Sequence, residues 1–171
     1  MTDLMVDIET LGTAPGSVIV QLGAVYFNWE GEMESSMFSR NVSIQSCLDV
    51  GLKVDESTLR FWYKETPNWL NNVQEIRTAL RGLKTFAEKA ESIWSHATFD
   101  IPMINTAARM CGIEDPIKYW KCRDIRTLTM LTGWKKPKDA PKDVKSHDAT
   151  EDCMYQVGYC VQCYNKLKGG K

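Results

Sequence analysis

Residues 1–12 read MTDLMVDIETLG. Asp7 and Glu9 stand two apart in an apolar run that also holds Leu4, Met5, Val6, Ile8 and Leu11. On a strand, residues i and i+2 project from the same face. Two carboxylates on one face of a buried strand repel each other and lose their hydration, and both effects are costly. Something elsewhere in the chain must make them tolerable.

The whole chain narrows the choices. Its 171 residues suffice for one domain with a proper core, expected over 1–168, with 169–171 as a flexible tail. The hydrophobic fraction is 43% and the charged fraction 25%, ordinary for a globular protein. A net charge of −1 argues against a passive DNA-coating protein and leaves room for an enzyme with a local basic patch. The first residues lack a basic region ahead of an apolar run, so no signal peptide is expected. No apolar stretch reaches the roughly 20 residues of a membrane helix. A soluble protein of the cytoplasm, in a bacterium or a phage-infected host, is expected, with no membrane partner. Cys47, Cys111, Cys122, Cys153, Cys160 and Cys163 are scattered and read as reduced thiols.

Outward from the first strand, residues 17–29 are β-branched and predict a second strand. A turn follows over 30–34, and residues 37–44 predict a third strand, completing a meander. Helical spacing marks 55–65, which Thr66-Pro67 ends, and 75–91, where Ile76, Leu80, Leu83 and Ala87 share a face. Residues 92–97 predict a fourth strand and 99–112 a helix that stops at Gly112. A fifth strand falls near 118–123, then helices over 124–133 and 148–167. Residues 134–146, WKKPKDAPKDVKS, read as a loop. The order predicts one α/β domain, a five-stranded mixed sheet flanked by helices.

More acids fall at element ends. Asp100 opens a helix just after the fourth strand, where a helix cap is the bland reading. Before the last helix, His147 precedes Asp152 by five residues. Asp148 and Glu151 form an N-cap and N3 pair, which leaves Asp152 without a structural job. Asp7, Glu9, Asp100 and Asp152 converging on one side of the sheet would repel strongly unless cations sat among them. Oxygen ligands suit Mg²⁺ or Mn²⁺. Two such ions about 3.5–4 Å apart form the apparatus for in-line attack on phosphorus.

Three motifs now stand in order: DIET, HATFDIP and HDATED. Together they resemble those of the DEDDh (DnaQ-like) 3′–5′ exonucleases, which have a ribonuclease H-like fold. STLRFWYKETP (57–67), FDIP, KYWKCRDIRTL (118–128) and HDATEDC are similar to the phage exonuclease A and ribonuclease AS-like group, over nearly the whole chain. His96 departs from the asparagine many members carry before the second motif.

The resemblance implies a catalytic set of Asp7, Glu9, Asp100, His147 and Asp152. The four acids would hold two divalent cations, and His147 would act as general base. It also implies substrate contacts from Thr10, Leu11, Gly12, Trp62, His96 and Phe99. The partner would be single-stranded DNA or other 3′ ends, with RNA open, and a homodimer stays open too. Phe61 or Trp62 would line the nucleic-acid groove, with core packing the alternative. Lys135, Lys136, Lys138, Lys142, Lys145 and Trp134 would contact backbone or base, or form a solvated loop. Arg123, Asp124 and Arg126 read as a structural ion-pair network or as support behind the site, rather than as groups that touch substrate. The competing readings are a non-catalytic nucleic-acid-binding module and a thiol or zinc protein built on Cys160 and Cys163.

Overall fold

The computed structural model describes residues 1–64, 69–135 and 147–169. The helix stop expected at Thr66-Pro67, Lys136, Lys138, Lys142 and Lys145 of the basic loop, and residues 170–171 of the expected tail lie outside them.

The sheet has five strands: β1 (Asp3–Thr10), β2 (Ile19–Phe27), β3 (Phe38–Asn41), β4 (Ser92–Ser95) and β5 (Cys122–Asp124). Their spatial order is β3-β2-β1-β4-β5. β1–β2 and β2–β3 are antiparallel, the expected meander, while β4 and β5 add in parallel on the other side. The helices are α1 (Ile44–Asp49), α2 (Glu56–Trp62), α3 (Ile76–Phe86), α4 (Asp100–Met110), α5 (Ile125–Thr132) and α6 (Ala149–Leu167). No described helix is long and apolar enough to cross a membrane.

Strand alternation divides the core in two. Leu4, Val6 and Ile8 of β1, with Val20, Leu22 and Ala24 of β2, pack against α3 and α4. Met5 and Val25 point to the opposite face, where α5 and α6 cover them with Leu128, Val157 and Cys160. Asp7 and Glu9 share that second face. The α3 face is the expected one, with Ile76, Ala79, Leu80 and Leu83 buried at helical spacing.

Two elements differ from the sequence reading. The third strand ends at Asn41 rather than running to residue 44, and helix α1 begins at Ile44. Ser43 caps it by accepting from the Ser46 amide. A six-residue helix is too short to show a periodic pattern, and its cap decides it. The fifth strand comes after a 3₁₀ turn at Tyr119–Lys121 and runs to Asp124. Asp124 then caps α5 by accepting from the Thr127 amide. α5 ends at Gly133, whose φ of 64° is the left-handed conformation that glycine adopts without steric cost.

Candidate active site

The acids meet where β1 ends, where β4 runs into α4, and where α6 begins. Asp7 and Glu9 leave β1 on the α6 face. Register sets Asp7 opposite Gly23 and Glu9 opposite Gln21 on β2. A Cβ on Gly23 would collide with the backbone carbonyl group of Ala149, so glycine there lets the first turn of α6 lie against the sheet. Gln21 ties that turn down. Its Oε1 accepts from the Ala149 amide at 2.8 Å, and its Nε2 donates to Asp148 Oδ2 at 3.0 Å. Asp148 caps α6 by accepting from the Thr150 and Glu151 amides. One turn on, Asp152 faces Asp7 and Glu9, and Gln156 Nε2 donates to Asp7 Oδ1 at 2.7 Å.

On the other side of Asp7, the chain turns from β4 into α4 and buries Asp100, which is 1% exposed. Asp100 does not cap α4: it is the helix's first residue, and its Oδ2 is buried without a hydrogen-bond partner. His96 lies beside it. Ligand atoms of Asp7, Glu9 and Asp152 fall within 4.8 Å of one another, as do those of Asp7, Asp100 and His96. Asp7 belongs to both groups. The acids open into a cavity of about 420 Å³ also lined by Phe99, Arg126, His147 and Tyr155.

The electrostatics are those of a crowded, buried acidic cluster. Burial, with Asp152 and Asp100 adding repulsion, pushes the Glu9 carboxyl up to about 8. Burial pushes Asp100 up to about 7, and lifts Asp7 well above the carboxylate range with help from Asp100 and Glu9. Burial also lowers the His96 imidazole, and the Arg126 guanidinium adds to this. Buried acids in this state are stabilised by protons or by cations, and Asp100 Oδ2 is buried without a hydrogen-bond partner.

His147 sits just before α6 with φ of 75°, a strained value for a residue with a Cβ. Three contacts hold it. Its amide donates to Asp152 Oδ2 at 3.1 Å. Its ring meets Phe61 edge-on at 4.9 Å and Trp62 at 5.7 Å.

The structure therefore brings Asp7, Glu9, Asp100, Asp152, His147, His96 and Phe99 to one cavity. Thr10, Leu11, Gly12 and Trp62 are placed differently. Leu11 is 1% exposed and Trp62 6%, both in the core. The Trp62 indole donates to the Thr10 carbonyl at 3.0 Å, and Thr10 Oγ1 donates to the Gly12 carbonyl at 2.7 Å. All four are buried, and the Trp62 ring meets His147 with centroids 5.7 Å apart. Phe61 is the exposed aromatic of α2. Trp134 stacks on Tyr159 of α6 with ring centres 4.5 Å apart. Cys160 and Cys163 are buried in the α6 core. Among the described residues, no group of potential metal ligands includes a cysteine.

The sequence reading missed Gln21, Gly23 and Gln156 as parts of the site. Gln156 stands four residues after Asp152, one helical turn on, and that spacing was the available signal. Gln21 and Gly23 carry no local mark. Of the two readings of Arg126, support behind the site fits its position: it is exposed at the cavity wall and hydrogen-bonds Thr98 Oγ1 at 3.3 Å.

The 3′–5′ exoribonuclease Rv2179c-like domain matches residues 2–164. An exodeoxyribonuclease of enterobacteria phage T4 is 23% identical over 196 positions, which span 92% of this chain and 86% of the phage protein. Among solved structures, the zinc-bound complex of E. coli exonuclease I with single-stranded DNA matches with a TM-score of 0.71 at 10% identity. That match covers 98% of this chain and 41% of exonuclease I, so the chain spans about two fifths of that enzyme. S. pombe Pop2p, in its Mg²⁺ and Mn²⁺ bound form, matches with a TM-score of 0.65 at 13% identity, over 99% of this chain and 85% of Pop2p. At such identities the likeness is one of fold, the ribonuclease H-like exonuclease fold. The chain belongs to the family of the 3′–5′ exoribonuclease Rv2179c-like domain, among the DEDDh exonucleases, and is a 3′–5′ exonuclease.

Proposed function

We propose that this exonuclease depends on two divalent cations, Mg²⁺ or Mn²⁺, and trims DNA from the 3′ end, releasing nucleoside 5′-monophosphates with His147 as general base. The observation behind this is the shared position of Asp7 between two ligand groups, one with Glu9 and Asp152, the other with Asp100 and His96. The donor set fits hard cations: carboxylate oxygens dominate it, and one of them, Asp100 Oδ2, is buried and unpartnered. When bound, the cations would offset the charge of the acids and of the scissile phosphate.

The chain's own residues supply the rest. Asp7, Glu9, Asp100 and Asp152 hold the ligand positions. Gln156 fixes the Asp7 carboxylate. His147, poised on Phe61 and Trp62, accepts the proton of the attacking water. Water attacks phosphorus in line, and the 3′-oxygen of the preceding nucleotide departs. Support for DNA comes from the phage exodeoxyribonuclease, whose similarity spans most of both chains. The description of the family domain as an exoribonuclease favours RNA as a second reading.

The test is one gel with 5′-labelled single-stranded DNA and matched RNA, in Mg²⁺, in Mn²⁺ and in EDTA. A metal-dependent ladder shortening from the 3′ end is expected, faster on DNA. A faster RNA ladder selects the second reading. Binding without cleavage sinks the catalytic reading and leaves a non-catalytic module.

A further inference from the structure

A second cavity of about 250 Å³ opens beside the acidic one. It is smaller than the roughly 300–1,000 Å³ of a drug-sized ligand pocket, the scale of a single heterocycle. Its walls are aromatic: Trp134, Tyr155 and Tyr159, with His96 and Arg126 at the junction of the two cavities. Trp134 and Tyr159 stack nearly parallel, 27° apart, and make a flat wall. Among the described residues lining this recess, Arg126 is the only charged side chain, a cation next to four acids.

The two cavities share His96, Arg126, Tyr155 and Tyr159. About Asp7 the ligand atoms form two groups: Glu9 and Asp152, with the His147 amide bonding Asp152, and Asp100 with His96. Of these groups, the second contributes His96 to both cavities. With His147 as the base, a reading on which this inference rests, the attacking water enters from the His147 side. In-line displacement then sends the leaving 3′-oxygen away from His147, toward Asp100, His96 and Arg126. The nucleoside bearing that oxygen is directed at the aromatic recess.

We propose that the recess formed by Trp134, Tyr155 and Tyr159 binds the base of the penultimate nucleotide, the one that leaves with the 3′-hydroxyl, and that Arg126 at its mouth pairs with that nucleotide's 5′-phosphate. Stacking suits this task because every base offers a π-face, so the subsite accepts any sequence. A guanidinium pairs with phosphate in bidentate geometry and offsets the repulsion between the incoming backbone and the four acids. Holding the leaving nucleoside on one side and the proton acceptor on the other would fix the line of attack.

The test measures the first cleavage of 5′-labelled oligonucleotides that are natural, abasic at the penultimate position, or abasic at the 3′-terminal position, with Mn²⁺ present. For the wild-type protein, the penultimate abasic residue should lower kcat/KM about tenfold or more, the scale of one lost base stack. Trp134→Ala should lower kcat/KM on the natural strand by a similar factor. It should also make the enzyme indifferent, within about twofold, to the penultimate base, while its terminal-base penalty stays at the wild-type value. Trp134→Phe, which keeps a π-face, should restore the penultimate penalty. A wild-type enzyme indifferent to the penultimate base overturns the assignment, as does a Trp134→Ala enzyme that keeps the full penalty. The wild-type comparison needs no variant, so a folding defect in Trp134→Ala does not shield the proposal. Absence of metal-dependent cleavage of the natural strand overturns the catalytic reading and this one with it. Cleavage without a penultimate penalty overturns this one alone.

Discussion

Gly23 lies directly across the β1–β2 ladder from Asp7, and the space where its side chain would stand is filled by the backbone of Ala149. A residue without chemistry thereby sets the distance between Asp7 on the sheet and Asp152 on α6. Any added Cβ must push the first turn of α6 outward, because the atom it meets is backbone rather than the end of a flexible side chain. Gly23→Ala should destabilise the fold by about 1–3 kcal/mol, the usual cost of overpacking. It should also lower cleavage at least tenfold by separating the two halves of the ligand set. Gly158→Ala is the control on the same helix: no atom lies within 4 Å of its would-be Cβ. That change should stabilise by about 0.5–1 kcal/mol through helix propensity and leave cleavage alone. Paired chemical denaturation and rate measurements check both, and wild-type activity in Gly23→Ala would refute the spacer role.

His147→Ala should slow cleavage by about 10²–10⁴-fold, the range for a lost general base, with cation binding retained. Calorimetric titration with Mn²⁺ checks the second half. Phe61→Ala removes the ring that meets His147 edge-on, an interaction of about 0.5–1.5 kcal/mol. It should slow cleavage by up to about tenfold, as a milder version of the same defect. A histidine variant that keeps wild-type rates would remove the base assignment.

Asp100 is a buried carboxylate with an unpartnered oxygen, which costs the fold stability in the absence of a cation. Asp100→Asn removes the charge and keeps the shape. The metal-free variant should melt a few degrees above the metal-free wild type, and its cleavage should be lost. A lower melting temperature would mean that the carboxylate has a structural partner.

Metal-free stability should fall as pH rises. The Glu9 carboxyl, held at about 8 by burial and by the Asp152 and Asp100 charges, lies above its usual value of 4.5. Folding therefore favours its protonated form. That contribution is fully present below pH 4.5 and is lost as pH rises through about 8. The raised Asp100, at about 7, acts in the same direction. In EDTA, the melting temperature should drop between pH 5 and pH 8, and Mn²⁺ should restore most of it at the upper end by replacing the protons. A flat profile in EDTA would show that the acids are hydrated rather than buried.

Much of the site was legible in local spacing. The two-residue period of a strand sets Asp7 and Glu9 on one face of β1. Asp148 marks the start of α6, and Asp152 follows in its first turns. These are properties of a few consecutive residues, governed by backbone geometry, and the sequence determined them without reference to the rest of the fold. β-branched and apolar runs likewise predicted the meander, and helical spacing the α3 face.

Tertiary structure decided what depends on register and rotation. Gln21 and Gly23 matter only because β2 pairs with β1 so that they stand opposite Glu9 and Asp7. A slip of one residue would turn both to the other face. Phe61 rather than Trp62 faces outward because the Trp62 indole is drawn inward to the Thr10 carbonyl, a choice between neighbours about 100° apart on one helix. Arg126 reaches the acids only because β5 joins the sheet beside β4 and aims the start of α5 at the cavity. Each depends on contacts between segments far apart in the chain, and a pattern of consecutive residues holds no record of them.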